Sequence, residues 1–260
     1  MKFVLFIAAI IVGCAQEPAP PPPSTPAVVQ QKQDSVDQQV PSAEAMVARF
    51  TKYQIAIIRK GSAWTKEAPQ KIEKLVAERG DYWKQMVDEG KLLGMARVVG
   101  DGDIRGVLFF KIQDKDEMKA VAANAPAVKA KLLTADIRTV WGSTGLGAKL
   151  KENAGMMKEG DTYYLAAMVK GPKWSKNADS PETRQATAEA MKHLYSLYKG
   201  GSLRFFAALE DMDMKLRNIS ILKAASAEEA MQMLKDSPSV KNGWNEPNVF
   251  EVKIPAGIVP

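Results

Sequence analysis

The sequence predicts an α+β protein in which two βαββαβ units are fused as an internal pseudo-dimer. Three observations predict it. The chain repeats its own landmarks, each copy runs through strand-like and helix-like stretches in one order, and the strands are apolar on both faces. Lys60-Gly61-Ser-Ala-Trp64 returns 110 residues later as Lys170-Gly171-Pro-Lys-Trp174, and Tyr53 is matched by Tyr163. Asp101 and Asp103 are matched by Asp211 and Asp213 at the same offset, and Pro126-Ala-Val128-Lys129 by Pro238-Ser-Val240-Lys241 at 112. Landmarks in one order with slow drift mark a tandem duplication of a unit of roughly 95 residues, and two copies are too few for an open solenoid.

In the first unit, an Ile-rich strand covers 53–59. One helix follows over about 67–89, with Ile72, Leu75, Val76, Trp83, Met86 and Val87 at helical spacing and Gly90 as the stop. Strands over about 91–99 and 104–113 are joined by Gly100-Asp-Gly-Asp103. A second helix begins after Asp114 with Glu117 as capping-box partner, and a strand over about 135–141 ends the unit. The second unit repeats the order. It has a strand at about 162–170, a helix at about 181–199 with Ser180 as N-cap and Pro181 at its first position, and a hairpin over about 202–210 and 214–223. A helix capped by Ser226 with Glu229 and a strand over about 248–254 complete it. This is the split ferredoxin-like arrangement, four antiparallel strands with two helices on one face. The other face would be wet, yet Ile55 to Ile58, Phe109-Phe110 and Phe205-Phe206 put apolar side chains on both sides. The duplication therefore has to cover it, either sheet on sheet or with the edges joined into one barrel-like assembly.

Ahead of the units, Met1-Lys2 and the apolar run Phe3 to Val12 fit an export signal, being ten residues long and too short for a bilayer core of about 30 Å. Ile11-Val12-Gly13-Cys14 resembles the lipobox of bacterial lipoproteins, which implies cleavage before Cys14 and acylation of the only cysteine. The domain reading is a signal peptide at 1–13, a Pro/Gln-rich tether at 14–48, unit one at 49–145, a linker at 146–160 and unit two at 161–257. The expected setting is the bacterial cell envelope. Attachment is by lipid on Cys14 to the membrane, and Ala15 in place of the Asp that retains many lipoproteins points to the outer membrane facing the periplasm.

The element order, Glu89-Gly90-Lys91 at a helix end and the Pro-x-Val-Lys segments resemble the YCII-related family, once per unit over about residues 50–256. That family's fold is a dimeric α+β barrel. The resemblance also implies a His eleven residues before the helix-ending Gly and an Asp before the Pro after the second helix, serving a site in the cleft. Neither unit keeps the pair: the positions fall on Arg79 and Ala125 in unit one, and on Ala190 and Ser237 in unit two, with His193 and Asp236 nearby.

Composition narrows the chemistry. One Cys and one His exclude a disulfide framework and a multi-histidine metal site, so no metal is expected. No phosphate loop, nucleophile elbow or zinc motif appears, so no cofactor is expected. The net charge of +6 is dispersed among alternating Lys and Glu, which disfavours nucleic acid as a partner. His193 lies about 120° from the stripe Met191, Leu194, Tyr198 and reads as a boundary side chain, or as a proton carrier with Asp236. Arg79 falls on the stripe of Ile72, Val76, Trp83 and Val87, where a guanidinium must be paired or face a cavity. Lys60 with Trp64, and Lys170 with Trp174, follow the first strand of each unit and read as repeated architecture or as ligand contacts. The functional expectation is a degenerate, non-catalytic binding or interaction module for a small molecule or protein. The alternative is a divergent enzyme acting on a small organic acid or ring compound in the cleft.

Overall fold

The computed structural model describes residue 45 and residues 49–149, 160–174, 180–211 and 215–260. The predicted signal peptide, nearly all of the tether and most of the linker lie outside these residues. The described chain belongs to one compact unit, Val40–Pro260. Its elements are β1 (Thr51–Lys60), α1 (Ala68–Arg79), α2 (Tyr82–Asp88), β2 (Leu92–Val98), β3 (Ile104–Phe110), α3 (Lys115–Asn124), α4 (Pro126–Lys129) and β4 (Leu133–Gly142). They continue with β5 (Asp161–Lys170), α5 (Pro181–Lys199), β6 (Leu203–Leu209), β7 (Leu216–Leu222), α6 (Ala227–Lys235), α7 (Pro238–Lys241) and β8 (Asn245–Ile254).

The eight strands close into a barrel in the order β1-β3-β2-β8-β5-β7-β6-β4. Of the two covers the apolar strands allowed, the chain uses the joined edges. Each half forms an antiparallel arc, β4-β1-β3-β2 and β8-β5-β7-β6, with ten residue pairs in β1–β4 and ten in β5–β8. The arcs meet at two narrow seams: Arg97↔Lys253 and Val98↔Val252 join β2 to β8, and three pairs from Val140↔Leu209 to Gly142↔Ala207 join β4 to β6. The arcs share their irregularities. The register slips at Ile58/Arg59 and again at Met168/Val169, then at Leu92/Gly94 and again at Leu203/Phe205.

Alternation along the strands sends every second side chain into the lumen. Phe109 and Phe205 meet edge to face at 5.5 Å there, Tyr53 joins at 6.0 Å, and both halves contribute to one buried cluster with Ile55, Leu165, Ile221 and Val252. The opposite faces carry the helices. Met118 and Ala122 bury α3 against the first arc, and Ala230 and Leu234 bury α6 against the second.

The caps are where local sequence placed them. Ser180 accepts from Thr183 N at 3.2 Å, and Asp114 accepts from Asp116 N and Glu117 N at 2.9 and 2.7 Å. Ser226 accepts from Glu229 N at 3.2 Å while Glu229 Oε2 accepts from Ala225 N. The Pro-x-Val-Lys segments are single helical turns, α4 and α7. One expectation is corrected: the helix over 67–89 is two. Gly80 takes φ 80°, a left-handed value open to glycine, and Asp81 starts α2 by accepting from Trp83 N and Lys84 N. No helix among the described residues is long and apolar enough to cross a membrane.

Candidate functional site

Strand β1 ends in a turn that the second half copies. A Cβ on Gly61 would stand 2.1 Å from Lys131 O and one on Gly171 2.5 Å from Gly243 O, so only glycine lets the chain pass there. Gly61 N donates to Leu132 O and Gly171 N to Trp244 O, both at 2.9 Å. The turn brings each Trp back over its own half. Lys60 Nζ and the Arg105 guanidinium both lie 5.4 Å from the Trp64 ring centre, and Lys170 Nζ and the Arg217 guanidinium lie 5.6 and 4.8 Å from that of Trp174. The cations are tied to the hairpin turns: Lys60 Nζ donates to Asp101 O and Oδ1, Arg105 to Gly100 O, and Arg217 to Asp211 O. Arg217 is 7% exposed, and burial pushes its guanidinium below the ordinary value while the Asp211 carboxylate opposes the shift.

In the first half these parts border a cavity of about 350 Å³ between α1–α2 and the sheet. Trp64, Tyr82 and Trp83 wall it, Arg97 and Arg105 stand on the sheet side and Glu73 on the helix side. Trp83 is held edge-on by Tyr82 at 5.1 Å and by Phe110 at 6.1 Å. Tyr82 donates its hydroxyl to Val121 O at 2.9 Å, and burial raises its pKa, so it keeps its proton and serves as a donor. Arg97 and Glu73 make no hydrogen bond or ion pair among the described residues. The second half has a smaller cavity of about 210 Å³ beside α5, lined chiefly by Met191, Leu194, Tyr198 and Phe206.

The sequence-predicted residues separate into those the structure gathers and those it scatters. Lys60 with Trp64 and Lys170 with Trp174 come together as described. Arg79 is exposed and does not border the cavity, which corrects its placement on a buried stripe. The break at Gly80 resets the helical phase, so Trp83 and Val87 no longer share a face with it. His193 and Asp236 are not joined by a hydrogen bond. His193 Nε2 lies 2.8 Å from Met233 O, an acceptor only, so this nitrogen donates and fastens α5 to α6. Asp236 is bonded by Lys241 and Gln232 instead, and these hold its carboxyl below the usual range. Arg97, Arg105 and Glu73 escaped sequence reasoning. The signal present was a pair of arginines flanking the Gly100–Asp103 turn, which a hairpin brings side by side.

No protein-family model matches the chain, and no curated protein is similar to it by sequence. Solved structures do match. The barrel is similar to that of chlorite dismutase. A tryptophan-to-phenylalanine variant of the enzyme from Candidatus Nitrospira defluvii, in complex with cyanide, matches with a TM-score of 0.51 at 10% identity, over 79% of this chain and 91% of that one. A tryptophan-to-valine variant matches with a TM-score of 0.50 at 11% identity, over 78% and 90%. An arginine-to-alanine variant matches with a TM-score of 0.50 at 10% identity, over 79% and 91%. At this identity the likeness carries the fold, that of the dimeric α+β barrels. These neighbours are enzymes, and that finding overturns the expectation of a non-catalytic binding or interaction module.

The fold family raises the question of an iron porphyrin, most often held by a histidine. The only histidine, His193, spends Nε2 on Met233 O and does not border the cavity beside α5. These residues do not fit such a group, and no step is routed through one.

Proposed function

We propose that the chain is a divergent enzyme acting on a small ring-bearing organic acid held between helices and sheet in its first half. The observation that carries this is the cavity of about 350 Å³ with aromatic walls, an unengaged arginine at one side and an unengaged glutamate at the other. Trp64 and Trp83 would offer flat apolar surface to a ring. Arg97 would fix the substrate carboxylate through a forked, charge-assisted pair. Glu73 would take the proton the reaction releases; unlike Asp81 it is not committed to a cap. Benzoate and cyclohexanecarboxylate should raise the melting temperature of the wild-type protein and leave that of Arg97→Gln unchanged. With a turned-over substrate in hand, Glu73→Gln should keep binding and lose about 10²–10⁴-fold in kcat. Absence of any stabilisation by ring acids would overturn the reading.

The same proposal includes the origin of the scaffold: two ferredoxin-like units, related to the YCII family and duplicated in tandem, fused as a pseudo-dimer. The repeated register slips and the strand order of each arc support it. It also places the barrel in the bacterial envelope on a lipidated Cys14, at the outer membrane facing the periplasm. Radiolabelled palmitate should enter the wild-type chain in cells and not Cys14→Ser.

A further inference from the structure

We propose that the open end of the barrel lumen is a second binding site, for a small monocarboxylate with an apolar body. The Phe109, Phe205 and Tyr53 rings fill the middle of the lumen. Beyond them, toward the ends of β1 and β5, a cavity of about 270 Å³ stays open. Its walls are apolar and come from both halves, with Ile57 and Val107 facing Leu165, Ile219 and Phe250.

The mouth is charged. Arg59, Arg138 and Lys215 line it with Asp136. Arg138 Nη2 lies 2.7 and 2.9 Å from the two Asp136 oxygens, and Arg59 Nη1 lies 2.8 Å from Asp103 Oδ2. The Lys215 ammonium at the same mouth makes no hydrogen bond or ion pair among the described residues. A carboxylate at the mouth would give Lys215 its counterion.

Closing the barrel does not require these groups, because the second half closes without them. Where Ile57 faces Asp136 in the first half, Ala167 faces Asn248 in the second, and where Ile55 faces Arg138, Leu165 faces Phe250. The slip at Ile58/Arg59 recurs at Met168/Val169, so Val169 stands where Arg59 does. Arg138 and Asp136 keep only 21% and 35% of their side-chain surface exposed. A pair so sheltered adds little to stability, and the second half holds an uncharged Asn248 and Phe250 in its place. The charged set is therefore read as a ligand's counterpart: headgroup at Arg138 and Lys215, apolar body down the lumen.

Hexanoate is the probe. With the isoleucine methyl groups of the full chain carbon-13 labelled, hexanoate should move the signals of Ile57, Ile104 and Ile219 and leave Ile58 and Ile72, which border the helix–sheet cavity, in place. Calorimetry should give about tenfold weaker binding for hexanol and for Lys215→Gln, the loss of one charge-assisted contact. Arg138→Gln should weaken it at least as much, and Arg97→Gln should bind as the wild type does. Unmoved lumen methyls, shifts at Ile58 and Ile72, or an unchanged Kd in Lys215→Gln would each overturn the proposal. Benzoate binding through Arg97 is read separately, so the two sites stand or fall apart.

Discussion

Trp64 in the first half and Trp174 in the second each lie between a lysine from the end of the first strand and an arginine from the hairpin's second strand. Around them the halves part. Beside Trp64 the helices stand off the sheet and leave a cavity with Arg97 and Glu73 at its sides. In the second half one long helix, α5, packs Leu194 and Leu197 against Phe206 and Leu203, and the smaller cavity left beside it has no acidic side chain among the described residues that line it. The lumen repeats the lesson: Arg59, Asp136 and Arg138 from the first half face Val169, Asn248 and Phe250 from the second. What recurs holds the barrel together, and what does not recur is where chemistry is to be sought.

The comparison breaks if the halves prove to be separate folding units. Phe205 is 1% exposed and packs on Phe109 and Tyr53 from the other half. Phe205→Ala should cost about 3–5 kcal/mol. Urea unfolding followed by far-UV dichroism and by tryptophan fluorescence should still give one coincident transition. Two transitions, with only the second displaced, would separate the halves.

The paired tryptophans sharpen it. Arg217 is buried over Trp174, while Arg105 is half-buried over Trp64. A desolvated cation–π contact is worth about 2 kcal/mol and an exposed one about 0.5–1 kcal/mol, so Arg217→Met should destabilise more than Arg105→Met in the same titration. Equal losses would make the two clamps equivalent.

The smallest effect lies at the helix ends. Asp236 in the second half occupies the place of Asn124 in the first. Its carboxyl is held low, chiefly by the Lys241 hydrogen bond, then by Gln232. A depressed carboxyl adds stability that is fully present above the unfolded value of about 3.9 and is lost as pH falls through the lower folded one. Asp236→Asn should therefore lower the melting temperature slightly at neutral pH and converge with the wild type at the acid end, which flattens the acid limb of the curve. An unchanged acid limb would show the carboxylate to be idle.

Much of the scaffold could be read along the chain, because periodicity and caps are local. Ser180, Ser226 and Asp114 start their helices as their side chains require, and the recurring Lys-Gly-x-x-Trp stretch marks where the first strand of each half ends. The helix break at Gly80 was missed because apolar spacing on either side of it mimics one continuous stripe; Gly-Asp before Tyr82-Trp83 was the signal. The cavity residues were harder. Arg97 and Arg105 reach the site from two strands, and only pairing tells which face of a strand looks inward. In β4, Asp136 and Arg138 alternate with Ile137 and Thr139, a pattern that places both charges on one side without saying that the side is the lumen.

A closed hoop of strands offers no free edge to a neighbouring molecule, and here the hoop is clasped at two places by two and three residue pairs. Parting either clasp turns the ring into an open sheet with two bare ladders, an invitation to intermolecular strand pairing. Strand pairing between molecules would thus start at Val98 or at Trp141, and the first of these clasps contains Arg97 itself.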